Sequence, residues 1–450
     1  MCKKRWLFLP VLLAALLGLT ACSAGGQEPA PQVTTLTYAV LGEGQADAVR
    51  TSVNKFNRAH TDVQIEVREY LNEDGRSGRD RLFAEMATGR IPDILDLGSD
   101  AVTASRLPYQ VLARRGFLED LWPYIENDPE LGRQGVVEAP LKAAEVNGGL
   151  YAVFREVYIQ TLVGAKSLVG DRKSWTLAEL QEAFASMPED STILAYCLDK
   201  PNIFYYIFGM SIENYVDRDT GQCFFTSETF KSSLEFVNSF PAEFTGRREE
   251  IGAEVAERVL SGRQMLNHEN LGCPLNIQSM DTFFGWGGEV SFIGFPTEDG
   301  SIGSFFYIYG RPTAMSATCQ DKEAAWEFIR EILLPRYRDM DDMIKNHRFY
   351  FTPINRADYD MMIQCVMERD VWGQLMVDEL PIIKIHRSTK EEVERFEDLF
   401  NSIETINLYD TTVYDIAYEA AGAYFAGDKT LDETAELIQQ RVSLYLNEQR

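Results

Sequence analysis

Residues 36–98 alternate strand and helix signals, and that alternation restricts the fold more than any other feature of the chain. Leu36-Thr37-Tyr38-Ala39-Val40-Leu41 reads as a short buried strand closed by Gly42-Glu43-Gly44. Val49, Val53 and Phe56 then recur at helical spacing, and Val63, Ile65 and Val67 alternate as in a half-buried strand. The spacing predicts a second helix over 79–88, stopped by Gly89 and Pro92. A third strand is expected over 93–98. Strand, helix, strand, helix, strand at this spacing requires a parallel sheet with crossover helices. The fold class expected is therefore α/β.

The N-terminus is of another kind. Lys3, Lys4 and Arg5 form a basic head, and 7–19 is an almost unbroken apolar run. That run is shorter than the roughly 20 apolar residues a spanning helix needs, and its flanks are those of a secretory signal. Leu19-Thr20-Ala21-Cys22 resembles a bacterial lipobox, in which cleavage precedes a cysteine that takes the lipid. Residues 1–21 are read as a lipoprotein signal peptide and 22–32 as a flexible tether carrying lipid on Cys22. Losing three positive charges with the signal takes the formal charge from −26 to −29. So acidic a chain is a poor partner for nucleic acid or an anionic membrane surface. Five cysteines remain: Cys197, Cys223, Cys273, Cys319 and Cys365. None are at C-x-x-C spacing, so buried thiols are the expectation, with a single disulfide as the alternative.

Helix signals recur later. Thr176-Leu177-Ala178-Glu179 and Thr430-Leu431-Asp432-Glu433 both fit the capping box, in which a Thr hydroxyl and a Glu carboxylate satisfy orphan amides. Residues 281–312 interleave aromatics with glycines, and most of those rings are expected in packing, with a minority lining a cleft.

Catalytic signatures are sparse. The four histidines, His60, His268, His347 and His386, are isolated, and no H-E-x-x-H, G-x-S-x-G or P-loop is written. Ser52-Val53-Asn54-Lys55 matches S-x-x-K but lies mid-helix, and reads as solvated surface. Asp217-Arg218-Asp219-Thr220-Gly221 places its glycine one position too early for an EF-hand and reads as a turn. Neither enzyme activity nor a cofactor or metal is expected.

Taken in order, several segments resemble the extracellular sugar-binding lipoproteins of bacterial ABC importers, the maltose, multiple-sugar and glycerol-phosphate type. After the lipobox come Val53-Asn54-Lys55-Phe56-Asn57, then Gly89-Arg90-Ile91-Pro92-Asp93-Ile94 and Gly116-Phe117-Leu118-Glu119-Asp120-Leu121. Asn147-Gly148-Gly149-Leu150-Tyr151-Ala152-Val153 is similar to the family's crossing strand. Ser174-Trp175-Thr176-Leu177-Ala178-Glu179-Leu180, Gly262-Arg263-Gln264-Met265, Gly294-Phe295-Pro296 and Ala324-Ala325-Trp326-Glu327-Phe328-Ile329 complete the series. The sequence departs from the pattern at Phe154, where Pro is usual, and at Leu271, where a stacking Trp is common.

The resemblance implies a two-lobe periplasmic-binding-protein-like fold with a ligand cleft between the lobes, and hinge closure around a solute. Lobe one is expected at 33–152 plus 296–350, and lobe two at 153–295 plus 351–450. Solutes of open α/β sheets bind beyond the carboxyl ends of strands, which selects Glu43, Ser99, Asp100, Glu269 and Asn270 on loops. Tyr205, Trp286 and Tyr307 are the candidate rings for a sugar face, and Arg155 and Arg348 the contacts for an anionic solute. The implied function is a monomeric, lipid-anchored binding protein on the outer face of the cell membrane that delivers a sugar to ABC permease subunits. The alternatives are a surface-anchored glycan-acting enzyme or adhesin, or a binding protein for a polyamine, peptide or glycerophosphodiester.

Overall fold

A computed structural model describes residues 33–448 except 43–44, 73–77, 99–108, 190, 195–198, 210, 219, 244–256, 286–287, 347–348, 370–383 and 408–410. The signal peptide, the tether and Cys22 lie outside the described residues, as do Glu43, Ser99, Asp100, Cys197, Trp286 and Arg348.

The first sheet forms as the alternation predicts. Strand β1 (Thr34–Leu41) pairs in parallel with β2 (Val63–Tyr70) on one side and β3 (Ile94–Asp96) on the other. Helix α1 (Gln45–Ala59) and helix α2 (Gly78–Ala87) are the crossovers. The stripe of α1 buries Val49, Val53 and Phe56. Ser52 and Lys55 are exposed on it, as expected of solvated surface. A later strand, β10 (Thr313–Met315), closes the order β10-β3-β1-β2 by pairing antiparallel to β3.

The second sheet is built around one long strand, β4 (Glu156–Ala165). Strand β7 (Asn267–Leu271) pairs with it along one edge, and β8 (Val290–Phe292), β9 (Phe305–Tyr309) and β11 (Thr352–Pro353) also pair with it, all antiparallel. A two-strand hairpin, β5 (Val216–Asp217) and β6 (Gln222–Cys223), stands apart. Its turn is tied by the Thr220 amide donating to Asp217 Oδ1 at 3.0 Å, which agrees with the turn expected there.

Side-chain alternation on β4 and β9 gives the second sheet two apolar faces. Val157, Ile159, Val163, Phe306 and Ile308 face α6 (Leu275–Phe284), α8 (Arg356–Glu368) and α9 (Lys390–Ser402), and this core runs on into the first sheet. Leu162 and Phe305 face α3 (Leu177–Ala185), α4 (Lys200–Phe208), α5 (Glu228–Asn238), α10 (Thr412–Phe425) and α11 (Leu431–Glu448). Helix α7 (Lys322–Ile329) packs instead on the first sheet, through Phe328 against Tyr38 and Phe56. Fully burying a ring such as Phe306 is worth about 1.5–3 kcal/mol.

The chain passes between the sheets at 153–156 and again at 309–313, where Val153 and Thr313 exchange backbone hydrogen bonds of 3.0 and 2.9 Å. The expected lobe boundary at 295/296 is corrected by this pairing. Residues 305–309 hydrogen-bond to β4, so the return to the first sheet comes after Tyr309. Cys223, Cys273, Cys319 and Cys365 are buried free thiols, in line with the first expectation for them.

Candidate functional site

The carboxyl ends of β1 and β3 lie on one edge of the first sheet because the strands are parallel. Gly42 and Gly98 terminate them with φ of 96° and 107°, a region that favours glycine. The Gly98 amide donates to Asp96 Oδ1 at 2.9 Å. This is the edge at which Glu43, Ser99 and Asp100 were expected to act.

The second sheet contributes a set of rings. On β4, Glu156, Tyr158 and Gln160 share a face. Tyr307 stands opposite Tyr158 in register, and the two rings stack with centroids 4.9 Å apart. Tyr309 stands opposite Glu156 and stacks on Phe351 at 3.7 Å, while Phe351 reaches Tyr158 at 6.1 Å. Tyr307, Tyr158, Phe351 and Tyr309 are thus linked in ring contact. The first three are half-buried and Tyr309 is 40 % exposed. Elsewhere in the aromatic-rich segment, Phe283, Phe284, Phe292, Phe295, Phe305 and Phe306 are buried packing, as expected.

Phe351 is held there by a close backbone approach. A Cβ on Gly272 would lie 2.0 Å from the carbonyl of Tyr350. Thr352 Oγ1 donates to the Gly272 carbonyl at 2.8 Å, fixing the segment against the end of β7.

Polar groups stand beside the rings. Asn270 is opposite Gln160 in the β4–β7 register, and the Tyr205 hydroxyl donates to Gln160 Oε1 at 3.5 Å. Tyr205 is delivered by α4, whose start is capped by Asp199 accepting from the Asn202 amide at 3.1 Å. Of the expected residues, then, Tyr205, Asn270 and Tyr307 come together. Tyr309 belongs to the 281–312 segment expected to supply a minority of cleft rings, whereas Tyr158, Gln160 and Phe351 were not foreseen. Their signal was the alternation of β4 itself, which could be followed only once its partners were known.

Glu269 is a correction. It lies within β7 and not on a loop, and neighbouring residues of a strand point to opposite faces. Opposite Thr161 in register, it shares the α6 face with Leu271, whereas Asn270 and His268 share the α4 face. His268 packs edge-on to Tyr206 of α4 at 5.3 Å. Burial pushes the Glu269 carboxyl up to about 8 and pulls the His268 imidazole down to about 4. Arg155, at the start of β4, donates from Nη2 to the Glu331 carbonyl at 2.8 Å and lies off the ring face.

No protein-family model matches the sequence, and no curated protein is significantly similar to it. Solved structures do match. The chain is similar to the sugar-binding protein MalE from Xanthomonas citri, with 15% identity and TM-score 0.51 over 92% of this chain and 98% of that one. It is also similar to a periplasmic oligogalacturonide binding protein from Yersinia enterocolitica, with 13% identity and TM-score 0.52 over 92% and 100%. The fold is that of the two-lobe periplasmic binding proteins. A de novo designed cysteine esterase shares that fold at 13% identity and TM-score 0.50 over 94% and 100%. At these identities the likeness is one of architecture, and a binding-protein fold by itself leaves the solute to the chemistry of the cleft. Among the described residues no helix is long and apolar enough to cross a membrane.

Proposed function

We propose that this chain is the lipid-anchored extracellular solute-binding component of an ABC importer, which holds a carbohydrate between its lobes and hands it to a membrane permease. The observation that carries this reading is the linked ring face of Tyr307, Tyr158, Phe351 and Tyr309, with Gln160, Asn270 and Tyr205 beside it. Flat rings cover the apolar faces of a sugar, while amides and hydroxyls both donate to and accept from its hydroxyl groups. Glu43, Ser99 and Asp100, the further polar groups of this reading, lie outside the described residues. Lobe one is 33–152 with 310–350, and lobe two 153–309 with 351–450. The sugar and oligogalacturonide ligands of the two similar proteins support the substrate class. A formal charge of −26 disfavours an anionic sugar. The lipobox at Cys22 supports anchoring on the outer face of the membrane.

A thermal-shift screen of neutral mono- and oligosaccharides on the full mature chain tests the proposal. A sugar at 100 times its Kd adds about 2.7 kcal/mol of stability. Tyr158→Ala or Tyr307→Ala should weaken that sugar by roughly tenfold, about 1.4 kcal/mol. A panel in which no sugar raises the melting temperature, or full affinity in both variants, overturns the reading.

A further inference from the structure

The segment that leads to the first passage between the sheets turns at Asn147-Gly148, the one Asn-Gly pair in the chain. Val146 and Gly149 exchange both backbone hydrogen bonds, at 2.9 and 3.1 Å, so only two residues make the loop. Asn147 has φ 52° and Gly148 φ 80°, the left-handed pair that a tight type I′ turn requires. Both residues are exposed, and a Cβ on Gly148 would meet nothing within 4 Å.

An asparagine followed by glycine carries its own reactive partner. The Gly148 nitrogen closes a five-membered ring when it meets the Asn147 side-chain carbonyl, and glycine has no Cβ to shield that nitrogen. Among the described residues, neither the Asn147 amide group nor the Gly148 N–H has a hydrogen-bond partner. The chain also has two Asn-Ser pairs, whose small second residue leaves the nitrogen similarly open, at 238–239 and 401–402. Those two are held. The Ser239 amide donates to the Glu235 and Phe236 carbonyls, both at 3.1 Å, and Ser402 lies inside α9. At Asn147 the Val146–Gly149 bonds alone restrain the backbone rotation that brings the ring atoms together, and no side chain covers Gly148.

We propose that Asn147 is a site of spontaneous modification, where deamidation to isoaspartate unmakes the turn that feeds the crossing. The Gly148 nitrogen bonds to Asn147 Cγ, and its proton leaves with the side-chain nitrogen as ammonia. Solvent water then opens the cyclic imide at either carbonyl, giving aspartate or isoaspartate. The isoaspartyl product routes the backbone through Cβ, which adds one carbon to a two-residue loop and one negative charge. Type I′ geometry does not close over the extra atom, so the Val146–Gly149 pairing is lost. The displacement falls on the residues that follow. The Leu150 amide donates to Asp120 Oδ1 and the Tyr151 amide to the Tyr109 hydroxyl, each at 3.0 Å, and Val153 pairs with Thr313 at the crossing. The proposal is independent of the carbohydrate reading.

Peptide mapping by mass spectrometry tests it, on the full mature chain held folded at mildly alkaline pH. Asn147 should lose its ammonia before any other asparagine, with isoaspartate as the main product. Ion exchange separates the converted chain by its added charge, and its melting temperature should lie about 2–4 °C below that of the parent. Asn147→Gly keeps a left-handed two-residue turn without the reactive amide, and its melting temperature should not change on the same incubation. Retention of the Asn147 amide while Asn238 or Asn401 converts overturns the proposal, as does conversion confined to urea-unfolded chain. Isoaspartate at 147 with an unchanged melting temperature also overturns it, because the turn then does not support the crossing.

Discussion

A methyl group on Gly272 would stand 2.0 Å from the Tyr350 carbonyl, closer than unbonded atoms tolerate. Gly272→Ala must push the 350–351 segment away and lift Phe351 off Tyr158. The expected cost is about 1–3 kcal/mol by chemical denaturation, with weaker sugar binding beside it. An unchanged midpoint and affinity would show that this contact does not organise the site. The residue before Tyr350, Phe349, sits at φ 51° although its ring is buried, so the turn is held by packing. Glu269 makes a pH prediction. Its folded pKa, raised to about 8 from 4.5, means that the folded state binds more protons than the unfolded state between those values. Stability from this group is therefore complete at low pH and falls as pH rises through 8. Glu269→Gln should leave the melting temperature unchanged near pH 4 and raise it at pH 8.5. Equal shifts at both pH values would contradict the burial argument.

Helix starts were the most legible elements. The Thr430 amide donates to Glu433 Oε2 at 2.8 Å and the Glu433 amide to Thr430 Oγ1 at 3.2 Å, the reciprocal pair expected from four residues of sequence. Thr176 and Glu179 do the same. A third box, Thr389 with Glu392, is written in the same letters and was not singled out. Thr430→Ala should cost about 1 kcal/mol in thermal unfolding and leave solute affinity untouched, since α11 packs directly on α5, α10 and β6. A loss of affinity instead would mean that α11 is coupled to the site. Strands were legible where one face alone is buried, as in β2, and less so in β7. There Asn267-His268-Glu269-Asn270-Leu271 buries Asn267 and Leu271 on one face with the half-buried Glu269 between them, and leaves Asn270 exposed on the other. Its polar letters resemble a loop, and only pairing with β4 makes it a strand.

At the scale of the whole molecule, two sheets joined at 153–156 and 309–313 predict closure about those segments when a solute bridges the lobes. Small-angle scattering should record a smaller radius of gyration at saturating sugar, and an unchanged radius would mean a rigid receptor. Cys22→Ser should abolish palmitate labelling, and labelling equal to that of the parent would remove the proposed anchor. The order of strands and helices over 36–98, the capped helices and the burial of most aromatics follow from local pattern. Each depends on spacing within a few residues, so the amino-acid sequence by itself determined them. The site does not work that way. Tyr158, Tyr307 and Phe351 are far apart in the chain, and single-residue register on β4 decides which of their faces meet. The same register separated Glu269 from Asn270, neighbours in sequence, onto opposite sides of one sheet. It also carried 305–309 into the second sheet. Long-range pairing set these outcomes because a strand's side chains alternate with period two, and no local spacing states which partner fixes the phase.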